Sequence, residues 1–275
     1  MLERGLSNAD YHARLEVGSS QLKQLLRSPM HYWQANLAPN RPPNVPTPAM
    51  QFGTLVHAAI LEPDTLSQVA VVIPRDAPAK RAAADKTWWA DFEREAAGRL
   101  SFDEERYAQA LAIAAIIHRD TTCKQLLANC IMEGSGFWNE GSEGVPCKFR
   151  PDAIKPDGSI IIDVKTTVDA SADSFAKSIA NYGYHISAAH YMDGAHATMD
   201  MLPHSFLFLA IETEPPFAFA IWRANPDLIA KGKHDRARAL RRYTEAHESG
   251  EWIGYEPGIW PISLPRWAQK FTEGD

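Results

Sequence analysis

The stretch from residue 147 to residue 167 constrains the fold of this chain more than any other. It contains an apolar-polar run that ends near Asp152, a Pro-Asp-Gly turn at 156 to 158, and a β-branched run from 160 to 167. Two such runs joined by turn residues are typical of a β-hairpin. The stretch therefore predicts two neighbouring strands.

Charged side chains interrupt the second of these strands. Because side chains alternate along a strand, Asp163 and Lys165 share one face with Ile161, while Ile162 and Val164 point to the other. A carboxylate and an ammonium within so apolar a run cost several kcal/mol, as an order of magnitude, unless they are paired or bound to a metal. The pair therefore needs compensation.

Two explanations account for the charges. Asp163 and Lys165 form either a buried ion pair that holds a core strand in place or part of a metal centre. Asp152, near the end of the partner strand, is within reach of Asp163. Two carboxylates beside one lysine repel each other unless a cation lies between them, and oxygen ligands suit Mg²⁺ or Mn²⁺. The second carboxylate favours the metal centre.

Length and composition predict one domain. With 275 residues, 45% hydrophobic and 23% charged, the chain can bury a full core. We expect a single domain over 1–275, with a helical segment and a Pro-rich loop at 1–48 and a catalytic sheet at 130–223. No apolar run approaches the roughly 20 residues of a membrane span, and no signal-peptide core is present, which predicts a cytoplasmic protein without a membrane partner. The net charge of -6 argues against indiscriminate binding of polyanions, although a local basic channel remains compatible with it.

Cysteine usage excludes two kinds of site. Cys123, Cys130 and Cys147 are an odd set without CxxC spacing, so neither a disulfide framework nor a zinc knuckle is expected. We expect reduced, mostly buried thiols. Three cysteines also cannot supply the four ligands of an iron-sulfur cluster, so none is predicted.

The motif spacing resembles that of a known nuclease superfamily. Pro151-Asp152, ten intervening residues and Asp163-Val164-Lys165 resemble the PD-(D/E)xK signature. The runs at 144–152, 163–167, 182–185 and 188–194 are similar to RecE-like exonucleases of the exodeoxyribonuclease VIII type, found in phage and prophage recombination systems. The similarity extends over nearly the whole chain. It implies an α/β, restriction-endonuclease-like core with a mixed central β-sheet flanked by helices.

The resemblance also implies a catalytic centre. Asp152, Asp163 and the Val164 carbonyl would bind Mg²⁺, or Mn²⁺, with two ions per site and no ATP. Lys165 would orient or deprotonate the attacking water.

Two further metal ligands are suggested by the same family. A lone helical histidine is usually structural, but Gly-x-x-x-His followed by Leu-Glu-Pro is the family's first motif, which makes His57 a metal ligand. Glu62 of that motif needs no special function. Glu133 is predicted on the strand before the catalytic motif, where it either reaches the metals or faces solvent.

Candidate DNA-binding residues come from several parts of the chain. Ser19 and Ser20 are predicted to cap a helix, and Ser-Ser-x-x-Lys resembles a family segment that holds a terminal phosphate; ordinary capping is the alternative. Arg150 and Tyr191 belong to the motif runs that resemble the family. The family often has glutamine four residues before this tyrosine, and here that position is Ser187. A predicted helix at 226–248 carries a basic stripe that is either a solvated face or a DNA-backbone contact. The stripe consists of Lys231, His234, Arg238 and Arg241 or Arg242.

The remaining segments predict the scaffold around this centre. We expect a loop at 38–48, a helix at 50–61, two or three helices between 76 and 130, helices at 171–181 and 185–199, and a strand pair at 205–212 and 217–222. The buried stripe of the 76–130 region is expected to include Trp88, Trp89, Phe92, Tyr107, Leu111, Ile116, Leu126 and Leu127.

Together these features predict a Mg²⁺-dependent, ATP-independent exodeoxyribonuclease. It would degrade linear double-stranded DNA from 5′ to 3′ and leave 3′ single-stranded tails for recombination by strand annealing, the polarity being implied by the resemblance. A single-strand annealing protein and a ring-like homo-oligomer are the expected partners, because processive digestion without ATP requires the chain to encircle DNA. The alternatives are a related endonuclease, an exonuclease of different polarity, or a catalytically idle DNA-binding or scaffold subunit.

Overall fold

The computed structural model describes residues 2–41, 43, 45–79, 83–141 and 144–265. Within them the strands are β1 Ala70–Val72, β2 Leu100–Phe102, β3 Ile131–Met132, β4 Gly136–Glu140, β5 Val145–Phe149, β6 Ala153–Ile154, β7 Ile160–Thr167, β8 Ser205–Glu212 and β9 Phe219–Arg223. The helices are α1 Asn8–Ala13, α2 Ser19–Arg27, α3 Pro29–Asn36, α4 Pro48–Leu61, α5 Leu66–Val69, α6 Ala83–Ala96, α7 Glu104–Arg119, α8 Thr121–Leu127, α9 Ala172–Tyr182, α10 Tyr184–Met199 and α11 Pro226–Ser249. No helix of this part of the chain has the length and apolar character to cross a membrane.

A mixed five-stranded sheet forms the centre, in the order β3-β6-β7-β8-β9. The strand β7 is antiparallel to β6 and parallel to β8, and β9 returns antiparallel to β8. Two small sheets flank it, a parallel β1-β2 pair and an antiparallel β4-β5 pair. This α/β arrangement of a mixed sheet and flanking helices confirms the predicted fold class.

The strand β7 is buried on both faces. Ile162 and Val164 pack into one hydrophobic cluster with α4 and α7, whereas Ile161 packs into a second cluster with Phe206 and Phe208. The predicted alternation along this strand is therefore correct. Its two clusters hold the strand that carries the catalytic motif.

The predicted hairpin is shorter than expected. The strand that leads toward Asp152 ends at Phe149 and pairs with β4, and only the two residues of β6 pair with β7. Pro151 has no N–H to donate to a ladder, and the Arg150 guanidinium donates to Ser135 Oγ at 2.8 Å, which separates β5 from β6. The turn itself is present, since Gly158 donates its N–H to the Lys155 carbonyl at 2.7 Å.

The prediction that Glu133 lies on a strand is wrong, because Glu133 falls between β3 and β4. Glu133 has φ of 49°, in the left-handed region, and this ends β3 before β4 begins. A Cβ on Gly134 would lie 2.8 Å from Ile131 Cγ2, and one on Gly136 would lie 2.1 Å from the Phe149 ring. These close contacts require glycine at both positions. Together with the left-handed φ of Glu133, they show that the chain turns here instead of continuing as a strand.

The start of α2 also differs from its prediction. Gly18 is the N-cap, and its N–H donates to Gln21 Oε1 at 3.2 Å, while Ser19 and Ser20 are the first residues of the helix itself. The predicted break at Ser28 is correct, because Ser28 Oγ caps α3 by accepting from the N–H of His31.

The residues described between 76 and 130 form three helices, within the predicted two or three, together with the unpredicted strand β2. For α7 the predicted stripe is wrong at Leu111, which is 44% exposed, whereas Tyr107 packs against the core as expected. The buried side chains of this helix are Ala110, Ile113, Ala114 and Ile117. The residues described between 38 and 47 contain no helix or strand, as expected. Pro42 of that loop lies outside the described residues.

Candidate active site

Three predicted catalytic residues meet at the centre of the sheet. Asp163 and Lys165 lie on β7, and Asp152 directly precedes β6. The Val164 N–H donates to Asp152 Oδ2 at 2.5 Å. Lys165 Nζ lies 2.6 Å from Asp163 Oδ2 and 4.0 Å from Asp152 Oδ2. The short β6-β7 pairing is therefore sufficient to bring two carboxylates and one ammonium together.

The ammonium of Lys165 is charged in this setting. Burial alone would lower its pKa, but the carboxylates of Asp163 and Asp152 outweigh burial and raise it. Burial raises the pKa of Asp163, with Asp152 adding to the effect and Lys165 opposing it. One ammonium thus faces an excess of acidic groups.

His57 enters the site from α4. Its Nδ1 lies 3.7 Å from Asp152 Oδ1. A Cβ on Gly53, one turn earlier, would lie 3.2 Å from Thr166 Oγ1, so glycine allows α4 to approach β7 closely. This contact gives a physical reason for the Gly-x-x-x-His spacing.

Glu133 completes a group of three half-buried side chains. His57, Glu133 and Asp152 each offer a ligand atom, and these atoms all lie within 4.8 Å of one another. Burial raises the pKa of Glu133 to about 8, and the nearby carboxylates of Asp152 and Glu62 add to it. The turn at Glu133, rather than a strand, gives the side chain this position.

The arrangement fits a divalent cation. Asp163 Oδ2 is buried and, despite the nearby ammonium, receives no hydrogen bond of acceptable geometry from the described residues. Carboxylates and an imidazole that converge with a single lysine leave uncompensated negative charge, which a hard cation would neutralise. The Val164 carbonyl accepts a hydrogen bond from Lys165 Nζ at 3.1 Å, so it also lies at this centre.

Two of the predicted DNA-binding residues are close to the catalytic acids. Tyr191 is half-buried and hydrogen-bonds to Ser19, and burial raises its pKa well above the ordinary value, with Asp163 and Asp152 contributing. Ser20, the next residue of α2, is exposed. The first turn of α2 therefore lies beside the catalytic centre.

Arg150 occupies a different environment from the one predicted. It is 7% exposed, and its guanidinium donates to Ser135 Oγ at 2.8 Å and to the Leu6 carbonyl at 2.9 Å. The guanidinium also stacks over the Tyr11 ring. These contacts attach the N-terminal segment to the sheet and leave little of the charge for DNA.

Most of the basic stripe of α11 is exposed but paired with acids of its own helix, and Arg242 is half-buried and donates to the Leu25 and Leu26 carbonyls. Lys231 and Arg238 both contact Asp235, and Arg241 lies 4.0 Å from Glu245. Among the residues that the structure describes, no hydrogen bond or ion pair joins this stripe to the catalytic acids.

Two histidines near the motif, His185 and His190, make structural contacts. His185 lies 3.1 Å from Asp235. His190 is buried between the Lys148 carbonyl, 2.9 Å from Nε2, and the Arg236 guanidinium, whose Nε donates to Nδ1 at 3.2 Å. Burial and the neighbouring Arg236 lower the pKa of His190 to about 3, which keeps it neutral.

Lys23 and Tyr184 are close to the site but were not predicted as site residues. The Tyr184 ring centre lies 5.4 Å from Lys165 Nζ and 5.6 Å from Lys23 Nζ. Lys23 is the lysine of the Ser-Ser-x-x-Lys pattern, so the sequence contained a signal for it. Its distance from the catalytic motif along the chain gave no indication that the two lysines share one ring.

The mixed sheet, with an acid and a lysine on its central strand and a second acid beside them, defines a nuclease-like fold. Residues 18–256 match the model of the PDDEXK-like domain of unknown function (DUF3799), and the chain belongs to this family. Members of the PD-(D/E)xK superfamily use divalent metals, which agrees with the acidic and imidazole ligands found here. The resemblance to this superfamily is confirmed.

One solved structure has a similar fold over nearly the whole chain. A candidate exonuclease from Eubacterium rectale has 16% sequence identity and a TM-score of 0.64, over 95% of this chain and 97% of the other. An alkaline exonuclease from Laribacter hongkongensis has 14% identity and a TM-score of 0.30, over 73% of this chain and 95% of the other. No curated protein matches the chain significantly.

Proposed function

We propose that this protein is a Mg²⁺-dependent exodeoxyribonuclease that digests linear double-stranded DNA without ATP. In this proposal digestion runs from 5′ to 3′ and leaves 3′ single-stranded tails for strand annealing. The observation that carries the proposal is the meeting of Asp152, Asp163 and Lys165 on β7 and the residue before β6, with His57 and Glu133 alongside.

Each residue has a defined task in this reaction. Asp152, Asp163, the Val164 carbonyl and His57 would hold the divalent ions, with Glu133 as a further ligand. When bound, such ions lower the pKa of the attacking water and neutralise charge on the scissile phosphate. Lys165 orients that water and stabilises the charge that develops on the phosphate. No covalent enzyme intermediate is required.

The first prediction concerns the catalytic pair. Asp163→Asn or Lys165→Ala should reduce the rate at least about 100-fold, the scale expected when one catalytic group is removed. The assay follows a 5′-phosphorylated linear duplex over time with Mg²⁺ and no nucleotide. Lys124→Ala, on the exposed face of α8, is the matched control and should digest at the wild-type rate.

Undiminished digestion by either catalytic variant would refute the assignment. End-labelled linear DNA and closed circular DNA separate the proposed polarity from the opposite polarity and from an endonuclease. Calorimetric titration with Mg²⁺, combined with the same assay, separates an active nuclease from an idle DNA-binding subunit, which would bind DNA without cutting it.

Two partners complete the proposal. A single-strand annealing protein would take up the 3′ tails, and a ring of identical chains would keep the enzyme on its substrate without ATP. Arg238 and Arg241 remain candidates for contacts with the DNA backbone in such an assembly, because both are exposed.

A further inference from the structure

An aromatic pair stands at the junction of α9 and α10. The rings of Tyr182 and Tyr184 stack with their centres 5.6 Å apart and their planes 30° apart. Gly183 between them has φ of 63°, the left-handed conformation that ends α9 and starts α10. Tyr182 is 62% exposed, so one face of this pair is open to solvent.

The same pair borders the catalytic centre. The Tyr184 ring is close to two lysines, with its centre 5.6 Å from Lys23 Nζ and 5.4 Å from Lys165 Nζ. Lys165 is neutralised by Asp163, 2.6 Å away. The ring therefore connects an exposed aromatic surface to the residue that acts on the scissile phosphate.

Among the described residues, Lys23 has no ion pair of this kind. Within the described part of the chain its ammonium makes neither a hydrogen bond nor an ion pair, although the side chain is half-buried. Burial and the charge of Lys165 together lower its pKa to about 8, and the carboxylate of Asp163 opposes them only in part. Its stem packs against Gly183, where a Cβ would lie 3.3 Å from Lys23 Cε. A half-buried cation beside a second cation is unfavourable unless an anion binds there.

We propose that Tyr182, Tyr184 and Lys23 form a subsite for the nucleotide next to the scissile phosphate. This inference rests on the proposed nuclease function. The exposed face of Tyr182 stacks on the base, and Lys23 binds a phosphate of the same strand. Stacking on an aromatic ring tolerates any base, and a lysine reads a phosphate without reading sequence, as an exonuclease requires. Tyr184 supports Tyr182 from behind and is a positioning residue.

Binding without cleavage tests the subsite. The probe is a 5′-phosphorylated duplex with 2-aminopurine as its terminal base, titrated in Ca²⁺ in place of Mg²⁺. Tyr182→Ala should weaken binding about 10-fold and abolish the fluorescence change of the probe, because a stacked base contributes on the order of 1–3 kcal/mol. Tyr182→Phe keeps the ring and should behave as wild type.

Lys23 is tested through the salt dependence of the same titration. Lys23→Met should reduce the slope of log K against log salt by about 1, as expected for the loss of one phosphate contact. Lys23→Arg should restore the slope. A lysine that serves only to pack its stem would leave the slope unchanged in the methionine variant.

The outcomes separate this inference from the proposed function. A Tyr182→Ala variant with wild-type affinity and fluorescence, or a Lys23→Met variant with the wild-type slope, overturns the subsite even if the wild-type protein cuts DNA. A wild-type protein that binds the probe with both effects but does not cut in Mg²⁺ retains the subsite and refutes the nuclease. Tyr182 is exposed, so its replacement creates no cavity, and a circular dichroism spectrum identical to wild type confirms folding.

Discussion

At the scale of single residues, Glu133 shows how a backbone conformation positions a side chain. Its left-handed φ and the small residues that follow it turn the chain between β3 and β4, and its N–H donates to the Asp152 carbonyl at 3.2 Å. The side chain thereby joins His57 and Asp152. The raised pKa of Glu133 reflects burial and the neighbouring acids, and both effects would be relieved by a bound cation.

We predict that Glu133→Gln weakens the binding of Mn²⁺, because the amide carries no charge and is a poorer ligand. The loss should be on the order of 10-fold in affinity, measured by calorimetric titration. Glu105→Gln, an exposed acid at the start of α7, serves as the control and should titrate as wild type. Equal affinities for the Glu133 variant and wild type would place this residue outside the metal site.

Strand alternation predicted only those residues of this centre that are local in sequence, whereas the more distant His57 was predicted from the family's motif. Asp163 and Lys165 share a face of β7, which the alternation of side chains along a strand predicts. The turn at 156–158 then brings Asp152 back beside Asp163. The meeting of Lys23 with Tyr184, and the burial of Arg150 against Leu6, depend on contacts between distant segments. No periodicity in the sequence encodes such contacts.

At the scale of elements, α10 and α11 cross at close range. A Cβ on Gly232 would lie 2.1 Å from the His185 carbonyl oxygen, so only glycine permits this approach. A buried polar network fastens the crossing: Arg236 donates to Glu140 at 2.6 Å, lies 3.2 Å from Asp193 and donates to His190. The helix that carries Tyr191 is thereby fixed to β4 and α11.

This network predicts a pH dependence of stability. Because the pKa of His190 is about 3 in the folded chain, against an ordinary value of 6.5, the unfolded chain binds a proton that the folded chain does not. The stabilisation is complete above pH 6.5 and is lost as the pH falls toward 3, by on the order of 1.4 kcal/mol per pH unit. Urea unfolding of wild type and His190→Gln at pH 7, 6 and 5 measures the difference.

The glutamine variant should show a shallower loss of the free energy of unfolding, because glutamine does not titrate. His234→Gln, at an exposed position of α11, should show the same dependence of the free energy of unfolding on pH as the wild type. A wild-type slope in the His190 variant would contradict the assignment of the acid sensitivity to this network.

Element boundaries were predictable where turn residues or caps mark them. The breaks at Ser28 and Pro226 and the long strand β8 follow from such signals. The division of the strand at 145–154 was missed because the Arg150 contact with Ser135 separates β5 from β6. The break between β3 and β4 at Glu133 was missed because apolar and polar residues continue to alternate through the turn.

At the scale of the whole molecule, the assembly follows from the proposed mode of action. We predict a ring-like homo-oligomer, because an enzyme that moves along DNA without ATP needs a closed contact to stay on it. Sedimentation velocity at micromolar concentration should give a species several times larger than one chain. A single-chain species that nevertheless digests long duplexes in one encounter would contradict the prediction.

The position of β7 between two hydrophobic clusters has a consequence for variant screens. Ile162 and Val164 report on one cluster and Ile161 on the other, while Asp163 and Lys165 lie among them on the same strand. A small repacking on either side of the sheet would shift the carboxylate of Asp163, which we propose as a metal ligand. Loss-of-activity variants from random mutagenesis should therefore map to both hydrophobic clusters as well as to the acids. The nuclease rate would then report on how well the interior is packed.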